Sequence, residues 1–218
     1  MSRVLTIQLE QPGDENLNAD GKPHSPAPPH LTPHPAVDQW YSNPSLQLLA
    51  TTESLGWSSL TLFIERHEAM NLTIPGWEDD VFGLLLEGSS GVYTHVVDSG
   101  ITVKKSIGPQ SGLVIQPRHT EIEARADSAL TYAIMRFNRK SFSETAAALQ
   151  VGDPARIELL PTFFFNDPLL YHLGTELANE ARNANPFGPL YADSLANSLA
   201  LYLLRNYSTN RVTLNLSS

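Results

Sequence analysis

The sequence contains no cysteine, and it contains no long apolar run. The first absence excludes disulfide bonds, thiolate zinc sites and cysteine nucleophiles, and it fits a reducing compartment. The second leaves no stretch near the roughly 18 apolar residues that predict a membrane helix. The N-terminal "MSRVLTIQLE" has too short an apolar run for a secretory signal. We therefore predict a soluble, cytoplasmic protein that does not associate with membranes.

Basic charge is also scarce. The chain has 14 Lys and Arg against 23 Asp and Glu, which gives a formal net charge of −9. No basic run is longer than Lys104-Lys105. Domains that bind duplex DNA usually cluster Lys and Arg on one face and have a high pI. We expect no direct nucleic-acid binding by this chain alone.

Proline is abundant, and it is concentrated near the N-terminus. Residues 11–36 hold seven of the 16 prolines and contain no Val, Ile, Phe, Tyr, Trp or Met. Such a segment cannot bury enough apolar surface to offset the entropy lost on ordering. We predict that residues 1–36 form a short strand (4–9) followed by a disordered arm. His24, His30 and His34 in this arm are able to chelate a metal loosely, but Pro-rich arms also carry His without binding anything.

Residues 37–138 have the pattern of short strands separated by turn signals, which is typical of a barrel or sandwich. In "SSLTLFIERH" Leu60, Leu62 and Ile64 share one face. The run "DVFGLLLEG" is apolar on both faces, as expected for a fully buried strand. We predict a β-barrel of seven to nine strands.

After residue 138 the apolar period becomes helical. Residues 139–208 predict a short helix over 141–150, capped by Ser141 or Ser143, and two longer helices over 166–183 and 189–207. Asp167 is suited to the N-cap of the second helix and Pro168 to its first position. The two longer helices should pack as an antiparallel hairpin, with residues 209–218 as a tail. The predicted fold class is therefore mainly β with C-terminal α.

Two stretches, "FFFNDPLLYHLGTELANE" (163–180) and "LYADSLANSLALYLLRNYS" (190–208), resemble the N-terminal effector-binding and dimerisation half of AraC/XylS-type bacterial transcriptional regulators. The likeness extends in pattern over roughly residues 45–208. It implies a cupin-like β-barrel, a double-stranded β-roll, followed by helices that make a dimer contact. It also implies a regulatory sensor of a small effector and not an enzyme.

In that family a DNA-reading half of two helix-turn-helix units normally follows the last of these motifs. The sequence instead continues as "TNRVTLNLSS", so we expect a truncated regulator without its own DNA-binding domain. A split or remnant gene, a standalone inhibitor and a separate effector-binding subunit are all open alternatives. The partner would be a second copy or a full-length relative, and the unknown effector cannot be named from the sequence.

Candidate site residues follow from the barrel and hairpin predictions. Aromatic and imidazole side chains on the strands are candidates for lining an effector cavity: Trp77, Tyr93, His95, His119 and Tyr132. Leucines that lie off the main helical stripe are candidates for a dimer interface, because apolar patches left in water usually mark one: Leu170, Leu201 and Leu204.

The alternative function is a small metal-dependent cupin enzyme. Such enzymes need imidazole and carboxylate donors converging on one face, and the candidates are His67, Glu68, His95, His119 and Glu121. No His-x-His pair occurs, so we predict no metal site, no catalytic residues and no cofactor. A ligand-free structural barrel is a third alternative.

One basic group lies at the end of the last predicted strand. Arg136, with Arg139 and Lys140 after it, is able to meet an anion there. A solvated basic rim is the interpretation that we favour from the sequence.

Overall fold

The computed structural model describes residues 43, 45–148 and 157–209. The predicted N-terminal strand and arm, with their three histidines, and most of the predicted tail lie outside these residues. Within the described part the strands are β1 (Leu46–Thr51), β2 (Leu60–His67), β3 (Met70–Ile74), β4 (Val81–Glu87), β5 (Ser90–Val96), β6 (Thr102–Ile107), β7 (Leu113–Gln116), β8 (Ile122–Ala126), β9 (Leu130–Phe137) and β10 (Thr162–Phe165). The helices are α1 (Arg139–Ala148), α2 (Pro168–Arg182) and α3 (Pro189–Asn206).

The strands form two antiparallel sheets. The larger has the order β1-β2-β9-β4-β7-β10 and the smaller has the order β3-β8-β5-β6. From β2 to β9 the chain passes repeatedly between the sheets, and one apolar cluster joins Leu85 and Tyr132 of the larger sheet to Val92 and Ile122 of the smaller. The predicted fold class, a cupin-like β-roll followed by C-terminal helices, is confirmed.

The helices cover the outer face of the larger sheet. Leu62 and Phe82 on that face pack with Leu177 and Leu199 of α2 and α3, and all four side chains are fully buried. The larger sheet therefore lies between the helices on one side and the smaller sheet on the other. This explains why β4 is apolar on both faces, as the sequence predicted.

Two strands were not predicted. β1 pairs with β2 at one edge of the larger sheet, and β10 pairs with β7 at the other edge. Because β10 comes after α1 in the chain, the sheet takes a strand from beyond the boundary that we predicted at residue 138. The barrel and the helical region therefore overlap in sequence.

The start of α1 also differs from the prediction. The side-chain oxygen of Asn138 accepts a hydrogen bond from the backbone N–H of Lys140 at 3.0 Å, so Asn138 and not Ser141 or Ser143 caps the helix. By contrast, Asp167 caps α2 as predicted, since its carboxylate accepts from the backbone N–H groups of Leu169 and Leu170.

Asp193 fixes α3 to the loop before β2. Its carboxylate accepts hydrogen bonds from the backbone N–H groups of Ser58 and Ser59 at 3.0 and 2.9 Å and from the Ser58 hydroxyl at 2.7 Å. Burial raises the pKa of Asp193, but these hydrogen bonds outweigh that effect and hold its pKa below the usual 3.8. The stabilisation is therefore present above pH 3.8 and is lost as the pH falls through the folded-state pKa.

We expect Asp193→Ala to lower the free energy of unfolding by about 1–3 kcal/mol at pH 7, because two backbone donors lose their acceptor. The loss should shrink at a pH below the folded-state value. Chemical denaturation at neutral and at acidic pH measures the loss and its decrease at low pH. Glu144→Ala, which removes an exposed 3.9 Å contact to Lys140, should change stability very little and serves as the control. An equal loss for both variants would contradict this account of α3 docking.

Candidate functional site

The two sheets enclose a cavity of ≈ 100 Å³. Its wall is mainly apolar and includes Ile74 and Val81 as well as the strand glycine Gly83. A Cβ at Gly83 would lie only 3.4 Å from the Val114 Cβ and 3.8 Å from the Tyr132 Cδ1, so the lack of a side chain there leaves part of the space open. The volume is below the roughly 300 Å³ at which typical ligand pockets begin, so only a very small ligand fits.

A β-bulge brings two aromatic rings to this cavity. Phe163 pairs with Val114 and Phe165 pairs with Leu113, which leaves Phe164 between them as an extra, unpaired residue. Phe164 has φ of 55°, a conformation that favours glycine. As a result Phe163 and Phe164 both line the cavity, while Phe165 turns to the helix side. Strict alternation would have placed Phe163 and Phe164 on opposite faces.

One end of the cavity carries a buried carboxylate and imidazole. Glu65 Oε2 lies 3.2 Å from His67 Nε2, and the two residues are only 1% and 5% exposed. Both project inward from β2, because residues two apart on a strand share a face. Tyr132, opposite Glu65 on β9, lies beside them. Burial raises the pKa of Tyr132, so its hydroxyl keeps its proton and remains able to donate a hydrogen bond.

The other end carries a buried guanidinium. Arg136 Nη2 donates to Asp79 Oδ2 at 2.8 Å, and its Cζ lies 5.2 Å from the centre of the Trp77 ring. Arg136 Nε and Nη1 are buried and have no hydrogen-bond partner among the described residues. Arg136 and Tyr132 are four residues apart on β9, so the two ends of the cavity are separated by about 13 Å.

Two of the five predicted cavity residues, Trp77 and Tyr132, line this site with buried side chains. Tyr93 also borders it, but Tyr93 is only half-buried and belongs to the outer face of β5, where it borders a groove beside Lys104 and Arg125. Trp77 and Tyr132 are 9% and 8% exposed.

The two predicted histidines do not line the cavity. His95 Nδ1 lies 2.9 Å from Thr102 Oγ1 on the outer side of the smaller sheet, because the inward positions of β5 are Val92, Thr94 and Val96. His119 is exposed in the loop after β7, where its backbone N–H donates to the Trp77 carbonyl. This corrects the prediction that both belong to the effector site.

We did not predict that Glu65, His67 or Arg136 would line an effector cavity. The period of two along β2 and β9 was the signal that could have found them. It places Glu65 and His67 on the face opposite Leu62 and Ile64, and it places Arg136 on the face of Tyr132. Of the three residues of the predicted basic rim, Arg139 and Lys140 are exposed to solvent, whereas the Arg136 side chain lines the cavity.

The predicted interface leucines differ in how much of each side chain is exposed. Leu170 and Leu204 are 0% and 2% exposed and belong to the core that joins the helices to the larger sheet. They are not available to a second subunit, which corrects the prediction for these two residues. Leu201 is 38% exposed, and on the same hairpin Phe187 and Leu190 are 74% and 82% exposed.

The described residues contain neither a metal-binding cluster nor a membrane-spanning helix. Over 45–148 and 157–209, no three His, Asp or Glu side chains come together in a group that could hold a metal ion. In the same ranges, no helix combines the length and the apolar character that crossing a bilayer requires.

No family model matches this sequence, and no curated protein matches it. Among solved structures, the chain is similar to the AraC-like transcriptional activator CuxR, with 10% identity, a TM-score of 0.49, and coverage of 75% of this chain and 56% of that protein. It is similar to an ethanolamine utilization protein, EutQ, from Salmonella typhimurium, with 16% identity, a TM-score of 0.32, and coverage of 42% and 67%.

A third similar structure is the iron(II) form of HppE, with 14% identity, a TM-score of 0.29, and coverage of 36% of this chain and 44% of that protein. The chain thus spans less than two thirds of the length of CuxR and of HppE. At these identities the likenesses concern the fold alone.

Proposed function

We propose that this chain is the effector-sensing and dimerisation module of an AraC-type transcriptional regulator. The observation that carries the proposal is the cavity between the two sheets, which has apolar walls and a polar group at each end. Small-molecule sites have this composition, with few polar groups fixing the orientation of a ligand held mainly by apolar contact. The resemblance of residues 163–180 and 190–208 to that family supplies the regulatory setting.

A screen of small metabolites against the purified chain tests the sensing role. A ligand that binds only the folded state raises the melting temperature in a saturable manner. Gly83→Val is the matched control, because its added carbons extend toward the cavity and should abolish the shift. If no compound gives a saturable shift, or if the shift is the same in Gly83→Val, the cavity is not the sensing site.

The dimerisation role is assigned to the exposed side of the hairpin. We expect the chain to be a dimer in solution and Leu201→Glu to convert it to a folded monomer, because a charge would be buried at the interface. Leu49→Glu, at a 47% exposed position on β1, should leave the dimer intact. Light scattering measures both, and a monomeric unaltered chain would refute the assignment.

A small metal-dependent cupin enzyme is the alternative function, and one observation favours it. Glu65 and His67 both line the cavity, and carboxylate and imidazole are metal-ligating groups. Metal analysis of the purified chain separates the two functions. A stoichiometric transition metal that is lost in His67→Ala, together with turnover of a substrate, would support the enzyme and contradict the sensor.

A further inference from the structure

Arg136 is held in an arrangement that leaves most of its donor capacity unused. A guanidinium group offers five N–H donors, and within the described part of the chain only Nη2 donates to an acceptor, Asp79. Nε and Nη1 are buried without a hydrogen-bond partner among residues 45–148 and 157–209, and the side chain lines the cavity. Three N–H donors of a cation are therefore available where the cavity meets the Asp79 side of the barrel.

Buried donors without acceptors are costly. Leaving one unsatisfied costs about 1–3 kcal/mol, and more when the group is charged. A methionine or leucine at position 136 would pack against Trp77 without that cost. The presence of an arginine is explained if an acceptor enters with a ligand, since hydrogen bonds from a guanidinium to an anionic oxygen are the strong class.

The rest of the cavity restricts what that ligand can be. The space of ≈ 100 Å³ is lined mainly by apolar side chains, including Phe163 and Phe164. A cavity of about 150 Å³ holds benzene, so the apolar body of the ligand must be compact. At the far end, about 13 Å away, Glu65 and His67 lie side by side, with Glu65 Oε2 3.2 Å from His67 Nε2.

We propose that the cavity binds a small monocarboxylate with a compact apolar body, whose carboxylate accepts a hydrogen bond from an unpartnered N–H group of Arg136. The inference rests on the proposed sensing function and names the chemical class of its effector. The apolar body lies against Phe163 and Phe164. Dicarboxylates are rejected because their second charge would lose its water against the mainly apolar wall, so the same cavity supplies both attraction and exclusion.

The test uses the full chain and three probes in titration calorimetry: 3-methylbutanoate, its neutral amide 3-methylbutanamide, and the dicarboxylate glutarate. We expect 3-methylbutanoate to bind at least about tenfold more tightly than the amide, because only the acid pairs with the guanidinium. Glutarate should show no binding. Equal affinity for acid and amide, or tighter binding of glutarate, would overturn the inference.

Variants locate the contact. Arg136→Met should weaken 3-methylbutanoate binding at least about tenfold while leaving the amide nearly unaffected. Arg66→Met is the matched control, because Arg66 is exposed and pairs with Glu68 at the surface, and it should bind like the unaltered chain. If Arg136→Met does not fold, the comparison of 3-methylbutanoate with its amide on the unaltered chain still tests the inference.

The two proposals fail in different ways. If none of the three probes binds but the metabolite screen yields a ligand that Gly83→Val blocks, the monocarboxylate inference is wrong and the sensing function stands. If no ligand of any class binds, both are wrong. Full retention of 3-methylbutanoate affinity in a folded Arg136→Met would remove Arg136 from the site and overturn the inference.

Discussion

Replacing Gly174 by leucine should lower the free energy of unfolding by about 3 kcal/mol. Gly174 lies on the face of α2 that packs on the larger sheet. A Cβ there would already be 3.0 Å from Leu84 Cδ2, 3.2 Å from Phe82 Cε1 and 3.4 Å from Met135 Cε. Leucine would add three further carbons to a fully packed layer, so α2 must move away from the sheet.

For a chain of this size, a change of about 3 kcal/mol corresponds to a fall in melting temperature of roughly 6–12 °C. Calorimetry measures it. Gly174→Ala is the control: the flexible ends of Leu84 and Met135 can yield by a few tenths of an ångström, and alanine favours a helix interior by about 1 kcal/mol over glycine. Its stability should stay within about 1 kcal/mol of the unaltered chain. A tolerated leucine would mean that α2 does not approach the sheet so closely.

Replacing Asp167 by alanine should cost about 2–3 kcal/mol, because two different interactions end on one carboxylate. Oδ1 accepts from the backbone N–H groups of Leu169 and Leu170 and caps α2. Oδ2 accepts from the Tyr207 hydroxyl at 2.8 Å, which ties the end of α3 to the start of α2. Asp167 is 8% exposed, so water cannot fully replace either interaction.

Two further variants separate the contributions. Asp167→Asn keeps a cap acceptor, so it should lose much less than alanine. Tyr207→Phe removes only the second interaction and should cost about 1 kcal/mol. Denaturant unfolding measures the loss in the free energy of unfolding for each of the three variants. If Asp167→Asn were as unstable as Asp167→Ala, the cap would not be the main contribution.

The sequence predicted most of the strands correctly, because their apolar residues repeat at the period of a sheet with one or two buried faces. Leu60, Leu62 and Ile64 share one face as predicted, and in the structure that face packs toward the helices. The two unpredicted strands are the edge strands of the larger sheet. β1 is only half-buried, and β10 contains three consecutive phenylalanines and a bulge, so neither has the alternation that identifies a strand.

The candidate site was predictable in part. Trp77 and Tyr132 were identified because large aromatic side chains on barrel strands tend to be buried. The histidines were misplaced because their chemistry was weighed above their strand face. Arg136 was assigned to a solvated rim because a sequence does not show which charged residues a second sheet will cover.

The sequence by itself determined the order of β2 to β9 and of the helices that follow, the cap at Asp167 and the burial of β4, since each depends on local periodicity or on neighbouring residues. The tertiary structure alone decided which side chains meet in the cavity. Glu65 and Arg136 are brought to opposite ends of one small space by strand register and by the packing of the smaller sheet over the larger. These are contacts between residues far apart in the chain, and no local pattern encodes them.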